Sequence, residues 1–156
     1  MKKINNNGFT IYELIVVIIG TCFLAWLVFY VHQGISINTR NDQRVTKIKN
    51  TQSVLETYYS KNGHYPSLTD LNSLDFRNKE LVNFNQSNLL DPLSKDSTQN
   101  LELSSMPMKD MFAYEITDSN GGSCEKDDLL CSKYNLIATY EGKVNKNSYY
   151  IRKNID

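Results

Sequence analysis

No charged residue occurs between positions 14 and 31. That gap splits an otherwise average composition, 40% hydrophobic, 22% charged and formally neutral. An apolar handle comes first, and after Arg40 a polar stretch rich in Asn, Ser, Lys and Asp, sized for one small domain. Neutral overall charge argues against a dedicated nucleic-acid binder, which normally carries a basic face, and leaves nucleic acid a weak candidate partner. Histidine is scarce: His32 and His64 are the two in the chain, on elements not expected to converge, so no His-based catalytic pair forms. Phosphate-cradling glycine loops, nucleophile elbows and clustered metal ligands are missing as well. The sequence therefore predicts neither an enzyme nor a cofactor. Of three cysteines, Cys22 lies in the apolar run, while Cys124 and Cys131 sit close together in polar sequence. Two readings of that pair stand: a small disulfide loop made in an oxidising compartment, or two unrelated thiols. Zinc fits poorly, since the spacing is wide for a ligand pair and no His is near.

What is present begins with a short basic leader, Met1-Lys2-Lys3-Ile4-Asn5-Asn6-Asn7-Gly8, and then Phe9-Thr10-Ile11-Tyr12-Glu13 and the uncharged run. A helix over residues 9–31, rising about 1.5 Å per residue, crosses most of a bilayer core of about 30 Å. As a cleaved secretory signal the run is too long and lacks a small-residue cleavage site. As a lipoprotein signal ending at Cys22 it has Thr21 in a poor place. Glu13 is the discriminating residue, because a carboxylate at the edge of a membrane helix costs a few kcal/mol unless partnered. Cleavage between Gly8 and Phe9 would put a new α-amine one helical turn before it, able to neutralise it within one subunit or between neighbours in an assembly. The alternative is that Glu13 snorkels to the interface.

The stretch Gly8-Phe9-Thr10-Ile11-Tyr12-Glu13-Leu14-Ile15-Val16-Val17-Ile18 resembles the class III signal of type IV pilins and type II secretion pseudopilins. Tyr12 departs from the aliphatic residue common before the Glu, at a tolerant position. The resemblance implies cleavage after Gly8 by a prepilin peptidase and N-methylation of Phe9. It also implies pairing of Glu13 with the Phe9 amine of an adjacent subunit during assembly. Residues 1–8 would then be a leader, 9–31 the transmembrane and filament-core helix, 32–62 its amphipathic half, and 63–156 the globular head. Without Lys2 and Lys3 the side chains total 15 basic (17 minus 2) against 17 acidic, a charge of −2.

Residues 32–60 hold no proline and a single glycine, Gly34, so the helix is expected to continue. Val45, Ile48, Leu55, Tyr58 and Tyr59 recur at spacings of three, four and seven, with Gln52 in the gap. That stripe predicts one covered face, and the chain's own C-terminal domain is a better cover than a coiled-coil partner or a membrane surface. Arg40, Arg44, Lys47 and Lys49 outnumber Lys2 and Lys3, which by the positive-inside count opposes export of the C-terminus. The signal-like motif and the cysteine pair outweigh that count. Asn62-Gly63 and Pro66 end the helix, in a stretch, Tyr58-Tyr59-Ser60-Lys61-Asn62-Gly63-His64-Tyr65-Pro66, that is similar to the same point in many pilins and pseudopilins. Residues 67–111 read as a connection with short turns near Ser67-Leu68-Thr69-Asp70-Leu71 and Leu90-Asp91-Pro92-Leu93. Asp91-Pro92 is similar to a step preceding the sheet in several pseudopilins, and no chemistry is assigned to it.

Three alternating runs, residues 112–117, 134–141 and 148–153, predict an antiparallel meander with a turn over 142–147. Phe112, Tyr114 and Ile116, and Tyr134, Leu136, Ala138 and Tyr140, fall on the covered faces. The fold expected is α+β: a long hydrophobic-then-amphipathic N-terminal helix packed on a small antiparallel sheet, a pilin-like ladle. A Cys124–Cys131 bridge would staple the loop at Asn120-Gly121-Gly122, although its placement differs from the long disulfide loop of some pilins. Asp118, Asn120, Glu125 and Asp127 are weak calcium candidates, because Ser123 and Leu129 break the EF-hand pattern; a solvated loop is the simpler reading. Tyr149, Tyr150, Arg152 and Lys153 could stack on single-stranded DNA, though sheet packing explains them better.

The expectation is a structural subunit of a type IV pilus serving adhesion, twitching motility or DNA uptake. It would be single-pass in the cytoplasmic membrane before assembly and extracellular afterwards. Its partners would be further copies, minor pilins, the prepilin peptidase, and the assembly platform and motor. Gly20 and Gly34 would let the helix bend, any melted segment starting at Gly20 because the mid-helix proline of many pilins is missing. The alternatives are a secretion or competence pseudopilin, and a single-pass anchored binding protein that never polymerises.

Overall fold

The structure, a computed structural model, describes residues 10–81, 84–98, 101–124 and 131–155. It has a long helix, α1 (Ile11–Asn62), two short helices, α2 (Leu68–Asn72) and α3 (Leu74–Glu80), a 3-10 turn (Gln86–Leu89), and three strands, β1 (Phe112–Asp118), β2 (Cys131–Val144) and β3 (Asn147–Lys153). The strands form one antiparallel sheet in the order β1-β2-β3. Together with the long helix this is the α+β arrangement expected. By contacts the chain divides into two units, Met1–Thr39 and Arg40–Asp156, and α1 contributes to both.

In the first unit α1 is exposed on all sides over residues 11–32. Its most apolar 18-residue window has a mean hydropathy of 2.7, so the helix is long and apolar enough to cross a membrane. The helix runs unbroken through Gly20 and Gly34, and a Cβ at either would meet nothing within 4 Å.

In the second unit, residues 40–62 of α1 cover one face of the sheet. Ile48 and Leu55 are fully buried with Phe112, Tyr114, Ile116, Tyr134, Leu136 and Ala138, so the two periodicities, three-to-four on the helix and two on the strands, meet in one core. Register confirms this: Phe112 pairs with Ala138, Tyr114 with Leu136 and Ile116 with Tyr134. The covered helix face shares Ile48 and Leu55 with the apolar stripe, and Tyr58 packs against it, but it is shifted toward polar positions. Asn41, Arg44, Ile48, Thr51 and Leu55 are its buried positions, whereas Val45 and Tyr58 are half-buried and Tyr59 is exposed. Three polar residues enter the core because each finds a partner there. Gln52, in the gap of the stripe, donates to the Lys153 carbonyl.

Strand β2 is longer at both ends than expected. It starts at Cys131 and passes Gly142 (φ 76°) by way of a register irregularity between Thr139 and Val144. The turn is two residues, Asn145 and Lys146, at φ 50° and 70°, the positive values a primed hairpin turn requires. Segment 101–111 finishes the other edge: Ser104 donates to the Phe112 carbonyl and accepts from Tyr114 N–H. Helix α2 opens on a reciprocal capping box, with Ser67 accepting from Asp70 N–H and the Asp70 carboxylate accepting from Ser67 N–H. Helix α3 was not visible as an apolar pattern. It buries Arg77, whose guanidinium donates to the Leu71 and Thr98 carbonyls and to Gln86.

Candidate functional site

At the start of α1, the Glu13 carboxylate accepts from Thr10 N–H at 2.8 Å and from Thr10 Oγ1 at 2.9 Å. Thr10 Oγ1 in turn accepts from Glu13 N–H at 3.4 Å. This is a capping box, in which orphan amides of the first helical turn and the carboxylate satisfy one another. Glu13 thus has a partner inside its own chain, Thr10, which differs from the solvent and the α-amine that the sequence suggested. The pattern Thr-x-x-Glu before an apolar run was the sequence signal for it. Both bonds fall on Oε2, and among the described residues Oε1 has no partner. Gly8 and Phe9, the expected cleavage and methylation residues, lie outside the described residues.

A second concentration of polar atoms lies in the head. Arg44, 1% exposed at its side chain, donates to both oxygens of equally buried Asp91, at 2.6 and 2.9 Å, and to Asn41 Oδ1 and Glu141 Oε1 at 2.9 and 2.7 Å. Arg40 grips Glu141 through both of its oxygens, at 2.7 and 2.6 Å. Asn41 exchanges two bonds with the Glu141 backbone. The sequence places Asn41 and Arg44 one helical turn apart, with Arg40 beside them; Asp91 comes from the Asp-Pro turn and Glu141 from the irregular part of β2. Hydrogen bonds from Arg40, joined by those from Arg44, hold the Glu141 carboxyl down at about 2 against the opposing effect of burial. Next to this cluster Lys47 donates to the Leu90 carbonyl, and burial lowers its pKa. Arg40, Arg44 and Lys47, read from the sequence as topology signals, are therefore packing residues of the head. Lys49 is exposed.

At the far end of the head portion of α1, Glu56 accepts from Tyr65 and Tyr134 hydroxyls at 2.8 and 2.7 Å and from Ile155 N–H at 3.2 Å. Tyr65 stacks on Tyr59 and meets Tyr134 edge-on, with centroids 4.5 and 4.7 Å apart. Burial, then the Glu56 carboxylate, raises the Tyr134 pKa strongly. The two hydroxyls on Glu56 thus anchor Tyr65 and Tyr134 to α1.

Cys124 and Cys131 form a disulfide, with Cα atoms 5.6 Å apart, and Cys22 is unpaired. Asp118 Oδ1 accepts from Asn120 and Gly122 N–H at 2.8 and 2.7 Å, so it shapes its own loop; Glu125 and Asp127 lie outside the described residues. His32 and His64 belong to different units. The DNA candidates are divided by the pleat: Tyr149 and Lys153 share one face of β3, Tyr150 and Arg152 the other. Arg152 donates to the Tyr150 hydroxyl at 2.8 Å and lies over its ring. Tyr149 and Lys153 are exposed, whereas Tyr150 and Arg152 are half-buried. Compared with models of protein families, with curated proteins and with solved structures, the chain matches none.

Proposed function

We propose that this chain is a type IV pilin-like subunit, anchored by α1 in the membrane after export and built into a filament through that helix. The observation that carries the reading is Gly8-Phe9-Thr10-Ile11-Tyr12-Glu13 directly before the apolar run. It is supported by the apolar helix continuing into an α+β head and by the Cys124–Cys131 disulfide, which fits an oxidising compartment. An apolar helix surface that leaves lipid only to enter a bundle of like helices loses little, so a polar pair can set the register. In this role the Phe9 amine of one subunit meets Glu13 of another, and Thr10 steadies Oε2 while Oε1 receives the amine. A long pilus and a short secretion or competence pseudopilus share all of this.

The Thr10–Glu13 capping box favours a second reading, a single-pass anchored protein that never polymerises, since a cap explains Glu13 without any assembly. Intact mass and N-terminal sequencing of protein sheared from cells of the native host separate the two. The filament reading expects a chain beginning at N-methylated Phe9 in high-molecular-weight fibres. A chain that keeps Met1 and stays in the membrane overturns it.

A further inference from the structure

Strand β3 closes the sheet on one side, and among the described residues nothing pairs with its outer edge between Ser148 and Arg152. The end of the strand is tied back, Lys153 C=O to Gln52 and Ile155 N–H to Glu56, so the open edge is held straight and in place. Edge strands are ordinarily blunted by proline, a bulge, a covering segment or charged side chains, lysine above all; β3 has no proline, and its charges, Arg152 and Lys153, stand at its C-terminal end, leaving Tyr149 and Ile151 uncharged in its middle. Its neighbourhood is also chemically one-sided. Residues 142–155 contain Lys143, Lys146, Arg152 and Lys153 and no acidic residue, in a chain whose total charge is zero. On the face away from α1, Tyr149 and Ile151 are 46% and 48% exposed. Ile151 pairs with buried Ile137, and Tyr149 with Thr139, whose hydroxyl donates to the Met108 carbonyl. That places exposed Met108 near the same strip.

We propose that the outer edge of β3 is a docking site for an extended acidic peptide segment, which adds to the sheet as a fourth strand. Main-chain donors and acceptors on β3 match a peptide backbone at a strand spacing of about 4.8 Å and match no phosphodiester backbone. Alternate side chains of the guest would lie on Tyr149 and Ile151, and its carboxylates among the lysines. A second copy of β3 is disfavoured because antiparallel pairing would set the Lys143 and Lys146 hairpin of one copy beside Arg152 and Lys153 of the other. The inference concerns the head alone and does not depend on whether the chain polymerises.

The test uses the full chain in detergent micelles, with amide hydrogen exchange and titration as readouts. The probe is a short peptide of alternating Glu and Val; the comparisons are the same peptide N-methylated along one edge and a single-stranded oligodeoxythymidylate. The expected result is slowed exchange of β3 amides on adding the Glu-Val peptide, binding weakened at least about tenfold by N-methylation, and a similar loss in K143E/K146E. Because Lys143 and Lys146 are exposed, that variant should fold normally, which its near-UV circular dichroism checks. Equal binding of the N-methylated peptide, unchanged β3 exchange, or capture of the oligonucleotide in preference to the peptide overturns the proposal.

Discussion

An arginine side chain brings five N–H donors and no acceptor, so burying one demands oxygen on several sides. Arg44 meets the demand with two carboxylates and an amide, Arg77 with two carbonyls and an amide. Removing one member of a buried ion cluster leaves the others without compensation, a loss of about 3–5 kcal/mol. Arg44→Ala is therefore expected to cost that much in urea unfolding followed by tyrosine near-UV circular dichroism. The double variant R44M/D91L should lose less than R44A, since both buried charges go together. The sign of the pH effect follows from Glu141. Its carboxyl is lowered in the fold from an ordinary 4.5 to about 2, so below about pH 4.5 the unfolded chain binds the extra proton. The stabilisation is complete above that pH and is lost as pH falls toward 2. Glu141→Gln should flatten this limb of the stability–pH curve while lowering the plateau above it. A curve of unchanged slope would mean that other carboxylates set the acid limb. None of this cluster was legible in the sequence, because a basic residue near an apolar run reads first as a topology signal. Its partners lie 47 and 97 residues away.

Whole elements were more legible than their ends. The strands declared themselves by alternation, since one face of each had to meet the helix, and the helix by its lack of proline and its Asn62-Gly63 stop. The stripe on α1 marks only part of the covered face, because polarity does not report burial: Ile48 and Leu55 are inside, but so are Asn41, Arg44 and Thr51, and Tyr59 is at the surface. The expected turn over 142–147 contains the β2–β3 turn but is too wide. Gly142 attracts a turn assignment, but it serves the irregularity in β2, and the positive-φ turn falls on Asn145 and Lys146. Asn tolerates that geometry, while a lysine there has its Cβ crowded against its own carbonyl at a cost of about 1–2 kcal/mol. Lys146→Gly removes the crowding but adds backbone entropy to the unfolded chain, worth about 0.5–1 kcal/mol. A net gain of about 0.5 kcal/mol is expected, seen as a higher urea midpoint at unchanged slope. A loss would show that the Lys146 side chain contributes something its exposed position does not reveal.

At the scale of the whole molecule, the question is what a carboxylate at residue 13 is for, and its two uses make different demands. A capping box needs an acceptor at Glu13 and a hydroxyl at Thr10, and glutamine serves it nearly as well as glutamate. A pairing with a neighbour's amine needs the negative charge and can do without the hydroxyl. Glu13→Gln keeps the first and removes the second, while Thr10→Ala does the reverse; Glu13→Ala removes both. If the chain polymerises, Glu13→Gln and Glu13→Ala should both abolish sheared fibres at unchanged membrane abundance, and Thr10→Ala should reduce them far less. If Glu13 is only a cap, Glu13→Gln should behave as the parent. Thr10→Ala and Glu13→Ala should then share one modest defect, about 1 kcal/mol of helix-end stability, visible as faster amide exchange in the first turn. The apolar run fits either case, because a helix suited to lipid is also suited to a bundle of its own kind. The pattern across these three variants, not the loss in any one of them, decides between anchor and filament.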